Sequence, residues 1–85
     1  MNLNMTNISI TKKNQKEVQN FLFKNGYIWI SYSKNFYDCF HHYNLEEVRY
    51  LFIEDNIFSV RNATYGYITI SGDNFLRTEK IKKLL

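Results

Sequence analysis

The chain has 85 residues and a mass of 10.3 kDa, which leaves room for one domain spanning residues 1–85. Its 45% hydrophobic and 22% charged residues exclude a disordered chain, and its net charge of +3 excludes an acidic mimic of DNA. No apolar run approaches the ~18 residues of a membrane span, and the single cysteine, Cys39, cannot form an internal disulfide. We therefore expect a cytoplasmic protein without membrane contact.

The first third of the sequence predicts a strand followed by a helix. Residues 7–10 alternate polar and apolar side chains, a pattern typical of a strand. Asn14 and Glu17 have the spacing of a capping box, so we expect the helix to begin near Thr11 or Asn14. Apolar residues then recur at helical spacing until Gly26, a residue that favours helix ends.

The middle of the sequence predicts strands separated by turns. Residues 27–32 and 36–43 are rich in the aromatic and β-branched side chains that favour strands, and a polar turn separates them. Residues 49–54 and 57–61 predict a hairpin, because Asp55-Asn56 tolerates the left-handed backbone of a tight turn.

The end of the sequence predicts one more strand, at residues 67–70, and a helix from Ser71 onward. The element order is then β-α-β-β-β-β-β-α, which predicts an α+β fold. Tight hairpins join antiparallel strands. We therefore expect a two-layer sandwich in which an antiparallel sheet of four to five strands carries the N-terminal helix and a short C-terminal helix on one face.

The alternation along the strands divides their side chains into two sets that face opposite sides of the sheet. We assign the aliphatic set to the core: Ile28, Ile30, Phe58, Val60, Ile68 and Ile70. The second set has polar tips, and we expect it to form an open face for a partner: Tyr27, Trp29, Ser31, Tyr67 and Thr69. The strand at 36–43 adds Tyr37, Cys39, His41 and Tyr43 on one face. The alternative is that the C-terminal segment or the sheet twist covers this face.

The run Cys39-Phe40-His41-His42 contains side-chain types that bind zinc. On a strand, Cys39 and His41 share a face while His42 points away, and two ligands do not complete a tetrahedral site. A nucleophilic pair of Cys39 and His41 has no marked oxyanion hole and no third orienting residue. Asp38 and His42 can form a hydrogen-bonded pair, but nothing else marks an acid–base site. We predict no metal, no cofactor and no enzymatic activity.

The basic residues concentrate at the two ends of the sequence. Such clusters can contact nucleic-acid phosphates, although they also occur as ordinary solubilising helix faces. Together with the aromatic face they give our predicted binding residues: Tyr27, Trp29, Tyr37, His41, Tyr43, Tyr67, Lys12, Lys13, Arg77, Lys80, Lys82 and Lys83.

Four segments occur in an order that resembles small phage and prophage accessory proteins: Glu17-Val18-Gln19, Phe21-Leu22-Phe23, Gly26-Tyr27 with Trp29, and Tyr50-Leu51-Phe52-Ile53. In those proteins a capped helix ends in Gly-Tyr, an aromatic strand follows, and a meander leads to a terminal Phe-Leu turn, here Phe75-Leu76. The resemblance covers roughly residues 8–76 and transfers no functional residue. It implies a mobile-element origin and an anti-defence role, of which anti-CRISPR inhibition is one form.

Three classes of function stay open at this point. The first is a non-enzymatic inhibitor that binds a host CRISPR effector nuclease, its guide RNA, or both, in the host cytoplasm. The second is a stand-alone protein that binds single-stranded RNA or DNA, since exposed aromatic side chains on a sheet can stack bases. The third is an enzyme. We expect the first class, and a homodimer remains open.

Overall fold

A computed structural model describes residues 2–40 and 48–84. Over these residues the chain forms seven elements, namely β1 (Thr6–Ile10), α1 (Gln15–Lys24), β2 (Ile28–Trp29), β3 (Arg49–Glu54), β4 (Ile57–Arg61), β5 (Ile68–Ser71) and α2 (Gly72–Leu84). The predicted α+β fold is confirmed. The C-terminal helix is not short, because α2 has 13 residues and α1 has 10.

The five strands form one mixed sheet with the order β2-β4-β3-β1-β5. Strand β3 pairs antiparallel with both β1 and β4, whereas β5 pairs parallel with β1 and β2 pairs parallel with β4. The prediction of an antiparallel sheet was therefore wrong for the two edge strands. Tight-turn signals determine only the β3–β4 hairpin, and longer connections lead to the edges, where parallel pairing is possible.

The hairpin of β3 and β4 lies where the sequence predicted it. Glu54 pairs with Ile57, and Asp55 at the turn has a positive φ of 57°. The Asn4 side chain accepts a hydrogen bond from the Asp55 backbone N–H at 2.8 Å. The turn residues thus supply the left-handed backbone that a two-residue connection requires.

Helix α1 has the predicted bounds but not the predicted cap. The Asn14 side chain accepts a hydrogen bond from the Thr11 N–H at 2.8 Å, and the Asn14 N–H donates to the Thr11 hydroxyl at 3.3 Å. Asn14 makes no side-chain bond to the helix backbone, and Glu17 instead pairs with Lys80 of α2 at 2.9 Å. Gly26, with φ of 88°, ends the helix as predicted.

The predicted strands at 27–32 and 36–43 were largely wrong. Only Ile28 and Trp29 pair with β4, because the chain turns at Tyr32, which has a positive φ of 65° and donates its N–H to Trp29 O at 2.7 Å. Residues 36–40 contain no strand, and residues 41–43 lie outside the described part of the chain.

Two buried glutamines of α1 bind the segment 37–39 in place of a neighbouring strand. Gln19 donates its Nε2 to Tyr37 O at 2.8 Å and accepts the Tyr37 N–H at 2.9 Å. Gln15 accepts the Cys39 N–H at 2.9 Å and donates to Asp38 Oδ1 at 2.8 Å. The two glutamines are four positions apart on one face of the helix, so both amides reach the same segment. We call this arrangement the glutamine clamp.

Both helices pack on one face of the sheet, as predicted. The core between them contains Val18 and Leu22 of α1, Phe75 and Leu76 of α2, and the strand residues Ile8, Ile10, Leu51, Ile53 and Phe58. Rings of the two helices, Phe21 and Phe75, meet edge to face at 5.2 Å. Each large apolar side chain removed from water here contributes about 1.5–3 kcal/mol to folding.

The predicted assignment of the aromatic residues around β2 to an open face was wrong. Trp29 lies opposite Phe58 in the register of β2 and β4, so both side chains point to the core side of the sheet. The centres of the two rings are 4.3 Å apart. Trp29 is 6% exposed and Tyr27 7%, and the indole N–H donates to Asn35 O at 3.1 Å. Conversely, two residues that were assigned to the core, Ile30 and Ile68, are exposed. Alternation separates two sets but does not tell which one faces inward.

Replacing Trp29 with alanine is expected to lower the free energy of unfolding by about 3–5 kcal/mol, because it removes a buried ring that packs on Phe58. Urea unfolding followed by circular dichroism measures this change. Ile30→Ala, at the exposed neighbouring position, is the control and should stay within about 0.5 kcal/mol of the wild type. An unchanged midpoint for Trp29→Ala would contradict the core assignment.

Replacing Gln19 with methionine, which has a similar volume, is expected to destabilise the fold by about 1–3 kcal/mol, because both hydrogen bonds between the Gln19 amide and the Tyr37 backbone are lost. The matched control is Asn20→Met at the exposed next position of the same helix. Equal unfolding midpoints for the two variants would show that the glutamine clamp contributes nothing to stability.

Candidate functional site

The sheet face opposite the helices, which we call the helix-free face, is crossed by residues 62–67. The register places Asn7 next to Phe52 on this face, and Phe52 next to Ser59. Asn7 is fully buried and donates its Nδ2 to Thr64 O at 3.0 Å. The connection from β4 to β5 is therefore attached to the middle of the sheet.

Four side chains form an aromatic cluster on the helix-free face: Phe52, Arg61, Tyr65 and Tyr67. The guanidinium carbon of Arg61 lies 3.9 Å from the Phe52 ring centre and 5.5 Å from that of Tyr65. The Tyr67 ring lies 4.8 Å from the Phe52 ring. Phe52 is buried under these neighbours, whereas Tyr65 is 67% and Tyr67 38% exposed. The cluster thus has a buried base and an accessible rim of two phenols and one cation.

A tight turn presents the rim. Tyr65 and Gly66 both have left-handed backbones, with φ of 51° and 81°, and the Tyr67 N–H donates to Thr64 O at 3.1 Å. Two central residues with positive φ define a type I′ turn. A left-handed tyrosine costs about 1–2 kcal/mol relative to an ordinary backbone, so the surrounding contacts hold Tyr65 in place.

Beside the cluster is a cleft of about 350 Å³ lined by Arg49, Val60, Arg61, Asn62 and Tyr65. None of these residues is acidic. Arg61 forms no ion pair with any carboxylate in the described ranges 2–40 and 48–84. The cleft therefore has a positive charge from the Arg61 guanidinium and an aromatic wall from Tyr65.

A second groove, of about 460 Å³, lies beyond the end of β2 and is mostly apolar. It is lined by Trp29, Ile30, Ser31, Ser33, Asn35, Phe36, Tyr37, Ser59 and Val60. Tyr37 is 48% exposed and meets the Trp29 ring edge to face at 5.9 Å. Val60 borders both this groove and the arginine-lined cleft.

The structure separates the aromatic binding residues that the sequence predicted. Tyr67 lies on the helix-free face, and Tyr37 lies at the apolar groove. Tyr27 and Trp29 are buried, and Trp29 contributes only a small area to the wall of the apolar groove. His41 and Tyr43 lie outside the described residues.

The predicted basic residues whose side chains are described lie on α2 or in the connection from β1 to α1, and none of them belongs to the aromatic cluster. Lys12 and Lys13 are exposed between β1 and α1, and Arg77, Lys80 and Lys82 lie on α2. Lys80 pairs with Glu17 at 2.9 Å and Lys82 with Glu79 at 3.2 Å, both in exposed positions that contribute little to stability. The side chain of Lys83 is outside the description.

Sequence reasoning missed Arg61 and Tyr65, although a signal for Arg61 was present. A two-residue turn at Asp55-Asn56 sets the hairpin register, which places Arg61 opposite Tyr50 and on the face of Phe52. Tyr65 gave no comparable signal, because only the path of residues 62–67 across the sheet brings its ring to Arg61.

Of the run Cys39-Phe40-His41-His42, only Cys39 and Phe40 lie in the described part of the chain. Over residues 2–40 and 48–84, no three His, Cys, Asp or Glu side chains come together as metal ligands, and His41 and His42 are not described. Burial raises the pKa of the Cys39 thiol to about 11, and Arg49 only partly offsets this. The thiol lies 3.6 Å from Tyr37 O, to which it donates. Cys39 is thus a neutral thiol near pH 7 rather than a nucleophile.

None of the helices in the described ranges is long and apolar enough to cross a membrane. Comparison of the chain with protein-family models, with curated proteins and with solved structures found no match.

Cys39 is expected to react slowly with a thiol reagent at pH 8 in the folded protein and rapidly in urea, where its pKa returns toward the ordinary 9.0. Because the folded pKa is raised, the unfolded thiol ionises first, and stability should fall as pH rises from about 9 to about 11. Cys39→Ser should remove this part of the pH dependence. Labelling of the folded protein at the unfolded rate would contradict the buried, neutral thiol.

Proposed function

We propose that this protein is a phage-type, non-enzymatic inhibitor of a host defence system that binds a CRISPR effector nuclease or its guide RNA complex in the host cytoplasm. The observation that supports a binding role is the aromatic cluster on the helix-free face. Helices cover the other face and leave this one with two accessible tyrosines and a cation. The step from a binding surface to this class of target comes from the resemblance to phage accessory proteins.

The physical properties of the cluster suit a tight macromolecular contact. Tyrosine and arginine are enriched among the residues that dominate binding energy at interfaces, because they bury large areas and still form hydrogen bonds. Tyr65 and Tyr67 flank a turn that is attached to Asn7. Little side-chain and loop freedom is then lost on binding, which lowers the entropic cost of association.

The charge distribution favours a ribonucleoprotein target. The chain is weakly basic at +3, and Arg61 is accessible beside the cluster without an acidic partner in the described ranges. A protein that competes for the basic DNA channel of such a nuclease would need a strongly acidic surface. Guide RNA phosphates complement this arginine.

A second candidate is a stand-alone protein that binds single-stranded RNA or DNA. The position of Arg61 between two aromatic rings favours it, since aromatic and guanidinium planes both stack on bases. Affinity for a bare nucleic acid falls steeply with salt, whereas an interface with a protein depends on it less. A salt titration therefore separates the two candidates.

The test is target cleavage by a panel of purified CRISPR nucleases, loaded with guide RNA, with the protein titrated in. At least one effector is expected to be inhibited, and Tyr65→Asn should weaken that inhibition about tenfold or more, equivalent to ~1.4 kcal/mol. Asparagine accepts a left-handed backbone, so the substitution removes the ring without straining the turn.

Tyr32→Asn is the matched control, because Tyr32 is also left-handed, with φ of 65°, and 76% exposed, but lies away from the cluster. It should inhibit like the wild type. Full cleavage at large excess of protein across the panel would contradict the proposed function, and tight binding to free RNA in that case would favour the second candidate.

A further inference from the structure

We propose that the cleft between Arg49, Arg61 and Tyr65 binds one nucleotide of a single-stranded nucleic acid, with the phosphate at Arg61 and the base stacked on Tyr65. This inference rests on the proposed function, because it assigns the contact with the guide RNA to a defined site. It also specifies chemistry that the proposed function leaves open.

The phosphate contact is assigned to Arg61 because of how its side chain is held. Phe52 lies against one side of the guanidinium, 3.9 Å from ring centre to Cζ, which restricts the side chain. Stacking on a ring leaves the N–H groups at the guanidinium edge able to donate. Since Arg61 has no carboxylate partner within residues 2–40 and 48–84, these donors suit a bidentate phosphate contact.

The backbone of β4 also has a donor at the open edge of the sheet. Ile28 N–H donates to Asn56 O and Ile30 N–H donates to Phe58 O, so even-numbered residues of this strand direct their backbone groups toward β2. Strand β2 ends at Trp29, and the next residue of β4 in this series is Val60, which lines the cleft. Its N–H therefore points past the end of β2, toward the apolar groove that Val60 also lines, and the phosphate contact is assigned to Arg61 alone.

The base is assigned to Tyr65 because its ring is exposed and adjacent to the phosphate site. The ring centre lies 5.5 Å from the Arg61 guanidinium, and the side chain is 67% exposed. Bases of single-stranded nucleic acids stack on such rings without regard to sequence. Asn62, also in the lining, offers an amide that can both donate and accept.

Size and charge agree with one nucleotide at this end of the hairpin. The cleft volume of about 350 Å³ lies at the lower end of the range for small-ligand sites. Glu54 and Asp55 lie at the turn of the β3–β4 hairpin, where they line, together with Arg61, a separate cavity of about 220 Å³ that does not include Tyr65. We therefore expect the nucleic acid to leave the cleft away from that turn, since phosphates would be repelled there.

The test uses the purified full chain and fluorescence anisotropy with a labelled oligouridine, compared with an abasic strand of equal length. The wild type is expected to bind the oligouridine more tightly than the abasic strand. Tyr65→Asn should lower the oligouridine affinity about tenfold and remove the difference between the strands, while Tyr32→Asn should change neither.

Arg61→Gln should lower the affinity for both strands about tenfold and reduce the slope of log affinity against log salt by about one, because one phosphate contact is lost. Lys24→Gln, an exposed charge change on α1, is the control and should leave the slope unaltered. Circular dichroism verifies the fold of each variant. If Arg61→Gln does not fold, the affinities of Tyr65→Asn for the oligouridine and for the abasic oligonucleotide decide whether the assignment holds.

Wild-type affinities in both cluster variants would overturn the assignment, as would an acidic peptide that binds the cleft more tightly than the oligouridine. The two proposals fail separately. Nuclease inhibition that depends on Tyr65 without any oligouridine binding would overturn this inference and keep the proposed function. Oligouridine binding that depends on Tyr65 and Arg61 without inhibition of any nuclease would overturn the proposed function and keep this inference.

Discussion

The arrangement of the helix-free face depends on one hydrogen bond, from the Asn7 side chain to Thr64 O. Asn7 is fully buried at the centre of the sheet, where its Nδ2 group would cost about 1–3 kcal/mol without this partner, and its Oδ1 has no hydrogen-bond partner among the described residues. This bond holds residues 62–67 across the sheet and leads the chain to β5 at the far edge, parallel to β1. The same path brings Tyr65 to Arg61. A polar group in the centre of the sheet thus determines both the topology of one edge and the shape of the candidate site.

The two faces of the sheet have different roles: one contains the apolar core that stabilises the fold, and the other presents the candidate binding site. The helix-covered face contains the apolar core, and its charged helix residues form exposed pairs such as Glu17 with Lys80. The helix-free face buries one ring, Phe52, and keeps its cation out of any ion pair among the described residues. A cation stacked on a ring is stabilised without an acidic partner, so its hydrogen-bonding edge stays accessible.

Local signals predicted the elements whose ends are set by backbone chemistry. Gly26 ends α1 and Asp55 forms the hairpin turn, because both positions need a left-handed backbone that few residues tolerate. The prediction for Trp29 was wrong because its polar N–H suggested an exposed side chain. In the structure this N–H donates to Asn35 O inside the fold. The segment 37–39 has the composition of a strand, but its backbone bonds to side chains of α1. Hydrophobic periodicity does not predict such side-chain partners. The candidate site followed from topology and was therefore only in part predictable, through the register of Arg61.

The glutamine clamp has a consequence for local opening of the fold. The N–H groups of Tyr37 and Cys39 donate to side chains of α1, whereas the interior of the sheet is held by a continuous backbone ladder. Because two side chains rather than a strand ladder hold this segment, we expect it to open locally at a lower free energy than the sheet. Amide hydrogen exchange at residues 37 and 39 then reports the mobility of the Gln15 and Gln19 side chains rather than global unfolding, and these two amides exchange ahead of those in β3.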